Sequence, residues 1–290
     1  MRFTYAEAMT DPSYMAPLAQ AAEAAGYDSF LIPDSVAYPE ESDSQYPFTE
    51  DGSREFLEDK PILEPFALVS ALAMVTERIR FTISVLKLPI RHPVHTAKLA
   101  ASAAVLSNNR LTLGVGVSPW PEDYAITDTP WEYRGKRMDE CIDIVSNLLD
   151  GGFHEHHGEV YDLQSLKICP VPTERVPILS GGHSAPALRR AARLDGWIHG
   201  GGTDDVDDII DRLLVLRRDA GKEADPFEIQ VMSADAFSVD GLRRLEEKGV
   251  TEVMVGFRWP YTVGPDTEPL QHKIDALERF AETTIAAYRN

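Results

Sequence analysis

Cysteine is scarce in this chain, and long apolar runs are missing from it. There are two cysteines, Cys141 and Cys169, in 290 residues. A chain of this size does not depend on one disulfide, so both are interpreted as reduced thiols. No apolar run approaches the length of a membrane span, and the segment Met1–Thr10 lacks the apolar core of a signal peptide. These absences predict a cytoplasmic protein with no membrane partner.

Positive charge is also in short supply. Lysine and arginine total 28 against 47 acidic residues, which gives a formal net charge of −19. This balance argues against nucleic acid and anionic membrane surfaces as partners. Because the overall field repels anions, any anionic ligand must be held by local groups. Hydrophobic residues make up 43% of the chain, which is enough for a sizeable core.

Strand-like and helix-like runs alternate along the whole chain, and no linker divides it. The pattern gives eight short apolar strands, each followed by a helix, which is typical of buried parallel strands. We therefore predict an α/β fold made of a single (β/α)₈ TIM barrel that spans residues 1–290 as one domain. A doubly wound sheet is the alternative. Two segments interrupt the repeat: a polar insertion at 35–60 after strand two, and a hairpin-like excursion at 150–175 after helix four.

Glycines cluster directly after the fifth and sixth predicted strands, where a barrel has its active site. Glycine lets backbone N–H groups approach a ligand closely, and a helix N-terminus adds unpaired donors and partial positive charge. Two such loops side by side predict a phosphate site that needs no lysine or arginine; the alternative is that the glycines only form tight turns. The glycines are Gly181 and Gly182, with His183 or Ser184 as the helix N-cap, and then Gly200, Gly201 and Gly202, with Thr203 as the N-cap.

Three motifs point to a family. They are "LPIRHPVHTAKLAASAAVLSNNRLTLGVGVSPWPEDY", "RGKRMDE" and "PILSGGHSAPALRRAARLDGW". In this order they resemble the luciferase-like monooxygenase superfamily, and within it the F420-dependent oxidoreductases. The resemblance implies a barrel that binds coenzyme F420, or alternatively FMN, and transfers a hydride to or from a small organic substrate. It also implies that the glycine clusters bind the cofactor phosphate.

The same resemblance suggests catalytic and cofactor-binding side chains at other strand ends. Glu7, after strand one, matches a catalytic glutamate; the alternative is a solvated carboxylate. Ser84 and Val85, in strand three, match a cis-peptide bulge behind the cofactor ring; the alternative is an ordinary buried strand end. Asp34, after strand two, is assigned to both catalysis and cofactor contact. Ser118, after strand four, is assigned to the cofactor.

Two departures from the family's sugar-phosphate dehydrogenases change the expected substrate. Those enzymes have a catalytic histidine where this chain has Ser35, and an acidic residue near Ser118. The substrate is therefore expected to differ from a sugar phosphate. Trp120 and Arg258, in loops after strands four and eight, are the candidate substrate contacts.

Other functions compete with this interpretation. One is an FMN-dependent monooxygenase on the same barrel. Another is a lyase or hydrolase that would use Lys87 or a metal, and a third is a binding protein without cofactor. The histidines of "FHEHHGEVY" follow a helix, away from the strand ends, so no metal site is predicted there.

We also predict a homodimer. Two helical segments, 64–78 and 92–107, are apolar or small on more than one stripe, which indicates a second packing surface. The family resemblance implies dimers as well.

Overall fold

The computed structural model describes residues 1–46, 49, 51–202 and 205–290. Within them, parallel strands close into an eight-stranded barrel, and a separate antiparallel hairpin lies outside it. The strands are β1 (Arg2–Tyr5), β2 (Ser29–Ile32), β3 (Arg80–Lys87), β4 (Leu111–Gly116), β5 (His154–His157), β6 (Asp162–Leu166), β7 (Ile178–Gly181), β8 (Gly196–Ile198), β9 (Glu228–Val231) and β10 (Glu252–Val255). Around the barrel the order is β1-β10-β9-β8-β7-β4-β3-β2, and β5 pairs with β6.

Helices cover the outside of the barrel and bury their apolar stripes against the strands. Their order along the chain is α1 (Met15–Ala24), α2 (Pro65–Ala73), α3 (Pro93–Leu106), α4 (Pro121–Ile126), α5 (Arg134–Asp150), α6 (Ala185–Ala191), α7 (Val206–Asp219), α8 (Val239–Glu247), α9 (Leu270–Phe280) and α10 (Ala286–Arg289). One π-helical turn, Ala281–Ile285, joins α9 to α10.

Local sequence explains where several helices begin. Proline occupies the first turn of α2 and α3, where its missing N–H has no intrahelical partner in any case. Ser238 caps α8 by accepting a hydrogen bond from the Gly241 N–H, the arrangement that favours serine at a helix start. The strands are buried on both sides: every residue of β4 is buried, as expected for a parallel barrel strand covered by helices.

The predicted barrel and both interruptions are confirmed. The insertion after β2 reaches α2, and the excursion after helix α5 is the β5–β6 hairpin. The expected count of eight helices was wrong, because short α4 precedes the long helix predicted as the fourth, and the π-helical turn divides the predicted C-terminal helix into α9 and α10.

The predicted N-caps of the helices after β7 and β8 have different outcomes. Ser184, one of the two residues considered, caps α6. Helix α7 is capped by Asp205, whose carboxylate accepts from the N–H groups of Asp207 and Asp208, so the cap is not Thr203. Thr203 itself lies outside the described residues.

No helix among the described residues is long and apolar enough to cross a bilayer.

Candidate functional site

A cavity of about 390 Å³ opens at the carboxyl-terminal mouth of the barrel, where barrel enzymes place their active sites. Leu31 and Met254 belong to the apolar layer that plugs the barrel, and both line the cavity from below. The loops after β1, β8, β9 and β10 form its walls. The lining residues are Ala6, Glu7, Ala8, Leu31, Gly201, Gly202, Met232, Ser233, Ala234, Phe237, Met254, Gly256, Arg258, Trp259, Pro260 and Tyr261.

Glu7 and Arg258 bring opposite charges to the cavity wall. The Arg258 Nη2 donates to Glu7 Oε1 at 2.7 Å and to the Ala8 carbonyl at 2.6 Å. The Glu7 side chain is only 5% exposed, so the alternative of a freely solvated carboxylate does not describe it. The sequence separates these two residues by most of the chain, and the closure of β1 against β10 brings them together.

A second pair of charged residues, Lys273 and Asp266, contacts Glu7 and Arg258 and completes a ring of four charges. Lys273, on α9, lies with Nζ 3.4 Å from Glu7 Oε2 and 2.9 Å from Asp266 Oδ2. Asp266 Oδ2 is in turn 3.7 Å from the Arg258 Nη2. Burial alone would raise the pKa of Asp266, but Lys273 and the other groups that favour its charged form lower it on balance. Four alternating charges therefore fix Glu7 and Arg258 in place. Sequence reasoning missed Lys273 and Asp266, because neither follows a strand directly.

Val85 narrows the opposite side of the mouth. The Ser84–Val85 peptide bond is cis, and the register between β3 and β4 shifts between Ile83 and Leu86. A Cβ atom built on Gly116 would lie 2.5 Å from Val85 Cγ2, and one built on Gly181 would lie 2.9 Å from Val85 Cγ1. Both positions therefore admit only glycine while Val85 keeps its place.

The predicted glycine clusters lie at the ends of β7 and β8. Three of the glycines have the positive φ that side chains disfavour: +100° at Gly182, +88° at Gly201 and +98° at Gly202. The Gly182 carbonyl accepts a hydrogen bond from Trp197 Nε1 at 3.0 Å, which fixes this loop. A Cβ on Gly201 would have the Tyr261 hydroxyl 3.7 Å away, an ordinary contact distance.

A pair of histidines stands between the two glycine clusters. The rings of His183 and His199 stack with their centroids 4.8 Å apart and their planes 7° apart. His199 is buried, and its Nδ1 lies 3.3 Å from the Met232 carbonyl. His183 was predicted from the sequence but His199 was not, although His199 lies between the end of β8 and Gly200.

Asp34 is engaged on both carboxylate oxygens. Its Oδ2 accepts from the Lys87 backbone N–H at 2.8 Å, and its Oδ1 pairs with Arg91 Nη2 at 2.6 Å. The carboxylate therefore ties the end of β2 to the end of β3. Asp34 is not part of the cavity lining formed by described residues.

Ser118 and Trp120 join a buried cluster beside the cavity. The Ser118 hydroxyl donates to Asp123 Oδ2, which also pairs with Lys87 Nζ at 2.7 Å. The Lys87 ammonium stands 4.5 Å from the centre of a Trp120 ring. Since Lys87 is buried and paired, it lacks the open approach that a Schiff-base lysine needs.

The histidine-rich hairpin is tied to helix α5 through Glu140. Glu140 accepts from the backbone N–H groups of Glu159, Val160 and Tyr161, and its Oε2 lies 3.1 Å from His156 Nε2. Burial would raise the pKa of Glu140, but these hydrogen bonds outweigh it and lower the pKa. Within the described part of the chain, no group of three or more His, Cys, Asp or Glu residues is arranged to hold a metal.

The protein has a closed (β/α)₈ barrel, a cavity at the carboxyl ends of the strands and an acid–arginine pair in the cavity wall. This arrangement places it in the class of barrel enzymes. The luciferase-like monooxygenase profile matches residues 2–270. The chain belongs to that family, and as a member of it the protein is an oxidoreductase.

Three proteins illustrate the similarity. An uncharacterized protein of Mycobacterium tuberculosis is 61% identical over 287 residues, 99% of each chain. The F420-dependent glucose-6-phosphate dehydrogenase of Nakamurella multipartita is 29% identical over 252 residues, covering 81% of this chain and 67% of that one. The crystal structure of monooxygenase RslO1 from Streptomyces bottropensis superposes with a TM-score of 0.75 at 15% identity, covering 99% of this chain and 100% of that chain.

Proposed function

We propose that the protein transfers a hydride between coenzyme F420 and a small organic substrate. The observation that carries the proposal is the cavity at the barrel mouth, which Glu7 and Arg258 line together with the glycines of the loop after β8. The 29% identity with an F420-dependent dehydrogenase over most of the chain supports F420 as the cofactor.

The residues at the mouth fit a flat cofactor with a phosphate. At about 390 Å³ the cavity has the size of an ordinary small-molecule site, and its lining is mainly apolar, as such sites usually are. In the proposal, Ser84 and Val85 back the cofactor ring, and Ser118 and Asp34 hold the strand ends around it. When bound, F420 supplies the hydride acceptor or donor. The phosphate is assigned to the backbone around Gly181, Gly182, His183, Gly200, Gly201, Gly202 and Thr203.

Glu7 is the proposed catalytic acid–base group. Its carboxylate lines the cavity, and Arg258 and Lys273 each hold one of its oxygens. In alcohol oxidation the Glu7 carboxylate accepts the hydroxyl proton while the carbon loses its hydride, and the reverse reaction returns both. Asp34 does not line the cavity formed by the described residues, and its contacts with Lys87 and Arg91 tie β2 to β3, so it is assigned to positioning instead of proton transfer.

The proposed substrate contacts lie in the same wall of the cavity as Glu7. Arg258 orients Glu7 and faces the substrate, but its charge is already balanced by Glu7 and Asp266. The site therefore offers a substrate phosphate no uncompensated cation at this point. Together with Ser35 in place of a histidine, this favours a substrate other than a sugar phosphate. Trp120, which is buried next to Tyr46, contributes to the substrate side through the aromatic wall that ends at Tyr261.

An FMN-dependent monooxygenase is the second candidate. It is favoured by the match in fold to monooxygenase RslO1 along the full length of the chain. We further propose that the protein is cytoplasmic and forms a homodimer, and the dimer is tested below.

Turnover with F420 tests the proposal. Oxidised F420 is mixed with the protein and a panel of small alcohols, and loss of the cofactor's absorbance is followed anaerobically. A Glu7→Gln variant should slow the reaction by about 10²–10⁴-fold, the usual contribution of a positioned acid–base group. Glu155→Gln, an exposed change in the hairpin, should leave it unchanged. Oxygen-dependent turnover with reduced FMN, and none with F420, would favour the second candidate.

A further inference from the structure

Arg54 is a buried cation whose guanidinium group has few hydrogen-bond acceptors among the described residues. It lies in the insertion between β2 and α2, and its side chain is only 6% exposed. Its Nη1 is 3.8 Å from Glu122 Oε2, which is too long for a hydrogen bond. Its Nε and Nη2 atoms are buried and have no hydrogen-bond partner among the described residues. Guanidinium groups in protein interiors normally satisfy these donors.

The described groups around Arg54 do not supply the missing partner. Its guanidinium carbon stands 4.8 Å from the centre of a Trp120 ring and 5.9 Å from that of Tyr38. Glu122 already accepts from the hydroxyls of Ser42 at 2.5 Å and Ser44 at 2.8 Å. Contact with aromatic faces offsets only part of the cost of burying a charge. The geometry therefore leaves one edge of Arg54 prepared for an acceptor.

We propose that Arg54 binds the oxyanion of a ligand, either a carboxylate or a phosphate group. The Nε–Nη2 edge presents two parallel N–H donors, the spacing that matches the two oxygens of such a group. In a chain with a net charge of −19, a local arginine is the device that can hold an anion against the overall field.

The site adjoins the barrel mouth. Trp120 follows β4, and its ring lies 5.5 Å from Tyr46, which lies 5.7 Å from Tyr261 in the cavity wall. An anion on Arg54 therefore belongs to a ligand that extends from the cavity toward the insertion. Nearby Lys87 is paired with Asp123, so Arg54 is the cation of this cluster that has an edge to offer. The inference concerns a site separate from the glycine clusters and does not depend on which cofactor binds there.

Thermal unfolding in inorganic phosphate, with sodium chloride at matched ionic strength as the reference, tests the proposal. Phosphate should raise the midpoint of the parent protein by more than that of Arg54→Met, in which only the proposed glycine-cluster site can still bind phosphate. Arg54→Lys, which keeps the charge but loses the two-donor edge, should bind phosphate at least about tenfold more weakly than the parent. Arg193→Met removes an exposed arginine in the turn that follows α6 and should respond like the parent.

The midpoint without phosphate provides an independent check. Removing a buried cation that lacks hydrogen bonds should leave the Arg54→Met midpoint unchanged or raise it. Repeating the titration with saturating F420 identifies the source of the anion. If F420 abolishes the difference in phosphate response between the parent and Arg54→Met, the anion is the cofactor's; if that difference persists with F420 bound, the anion is the substrate's, and either result supports the site. Equal phosphate dependence in parent and Arg54→Met, or a clear fall of the Arg54→Met midpoint without phosphate, would overturn the proposal.

Discussion

At the scale of single residues, a glycine at the barrel mouth can serve two purposes: it adopts a left-handed backbone conformation, and it leaves space for a ligand. A single substitution there would affect both. Gly201 has a φ of +88° and lines the cavity. Any side chain there strains the backbone as well as occupying ligand space. Gly249, which follows α8 on the opposite face of the barrel, has a φ of +92° and no atom within 4 Å of an added Cβ. A substitution at Gly249 therefore measures the cost of backbone strain alone.

We predict that Gly201→Ala and Gly249→Ala lose similar stability, about 1–2 kcal/mol each, because both place alanine in a left-handed conformation. Only Gly201→Ala should also weaken F420 binding, by about tenfold or more. Urea unfolding gives the first quantity, and quenching of F420 fluorescence gives the second. Equal cofactor affinity in the two variants would mean that Gly201 only forms a turn.

The buried charge ring leads to a second prediction. Lys273, with a side chain 1% exposed, faces Glu7 and Asp266. Lys273→Met should lower the free energy of unfolding by about 3–5 kcal/mol, because it leaves two buried carboxylates with one cation. Lys248→Met, which removes an exposed partner of Asp207, should cost less than about 1 kcal/mol in the same urea titration. Similar losses in both variants would contradict a special role for the ring.

Some residues of the candidate site could be predicted from the sequence and others could not. Glu7 and Arg258 were identified because each follows a strand, and a barrel brings strand ends together. Lys273 lies within α9, and Asp266 lies in the loop before it, so their approach to Glu7 depends on how α9 packs. Strand–helix alternation does not encode that packing. The unpaired N–H donors of Arg54 could not be predicted from the sequence either, because they depend on how the insertion packs on Trp120.

At the scale of elements, the insertion and the hairpin differ in what holds them. The insertion packs through aromatic rings: Phe56 lies 4.9 Å and Tyr46 5.7 Å from Tyr261, between ring centres. The hairpin is held by hydrogen bonds to the Glu140 carboxylate and by packing of Tyr161, Leu163 and Leu166 against the core. Sequence pattern predicted both segments as interruptions of the repeat, because each exceeds an ordinary connection length. It gave no indication of what each would pack against.

The hairpin's attachment gives a pH-dependent prediction. Glu140 has a lowered pKa in the folded protein, so its stabilisation is complete above the unfolded-state pKa of about 4.3 and is lost as the pH falls through the folded value. Glu140→Gln should therefore cost about 1–3 kcal/mol at pH 7, and the difference from the parent should shrink below pH of about 4. Urea unfolding across this range measures it. Glu155→Gln should show no such dependence, and a cost for Glu140→Gln that stays constant down to acid pH would contradict the account.

At the scale of the whole molecule, several exposed apolar side chains lie on or next to the two helices that the sequence predicts to form a second packing surface. Met74 and Val75 lie at the end of α2, and Leu99, Val105 and Leu106 lie on α3, all substantially exposed. We predict that the protein sediments as a dimer at micromolar concentration and that Leu99→Glu shifts it to monomer. Leu214→Glu, a similarly exposed leucine on α7, should leave it dimeric. A monomeric parent protein would contradict the prediction.

The account of the whole molecule depends on which cofactor the barrel mouth receives. The most direct measurement is a fluorescence titration of the purified parent protein with F420 and, separately, with FMN under the same conditions. We predict saturable binding of F420 with at least about tenfold higher affinity than FMN, a difference of about 1.4 kcal/mol. Binding of FMN alone, or of neither cofactor, would contradict the assignment as an F420-dependent oxidoreductase.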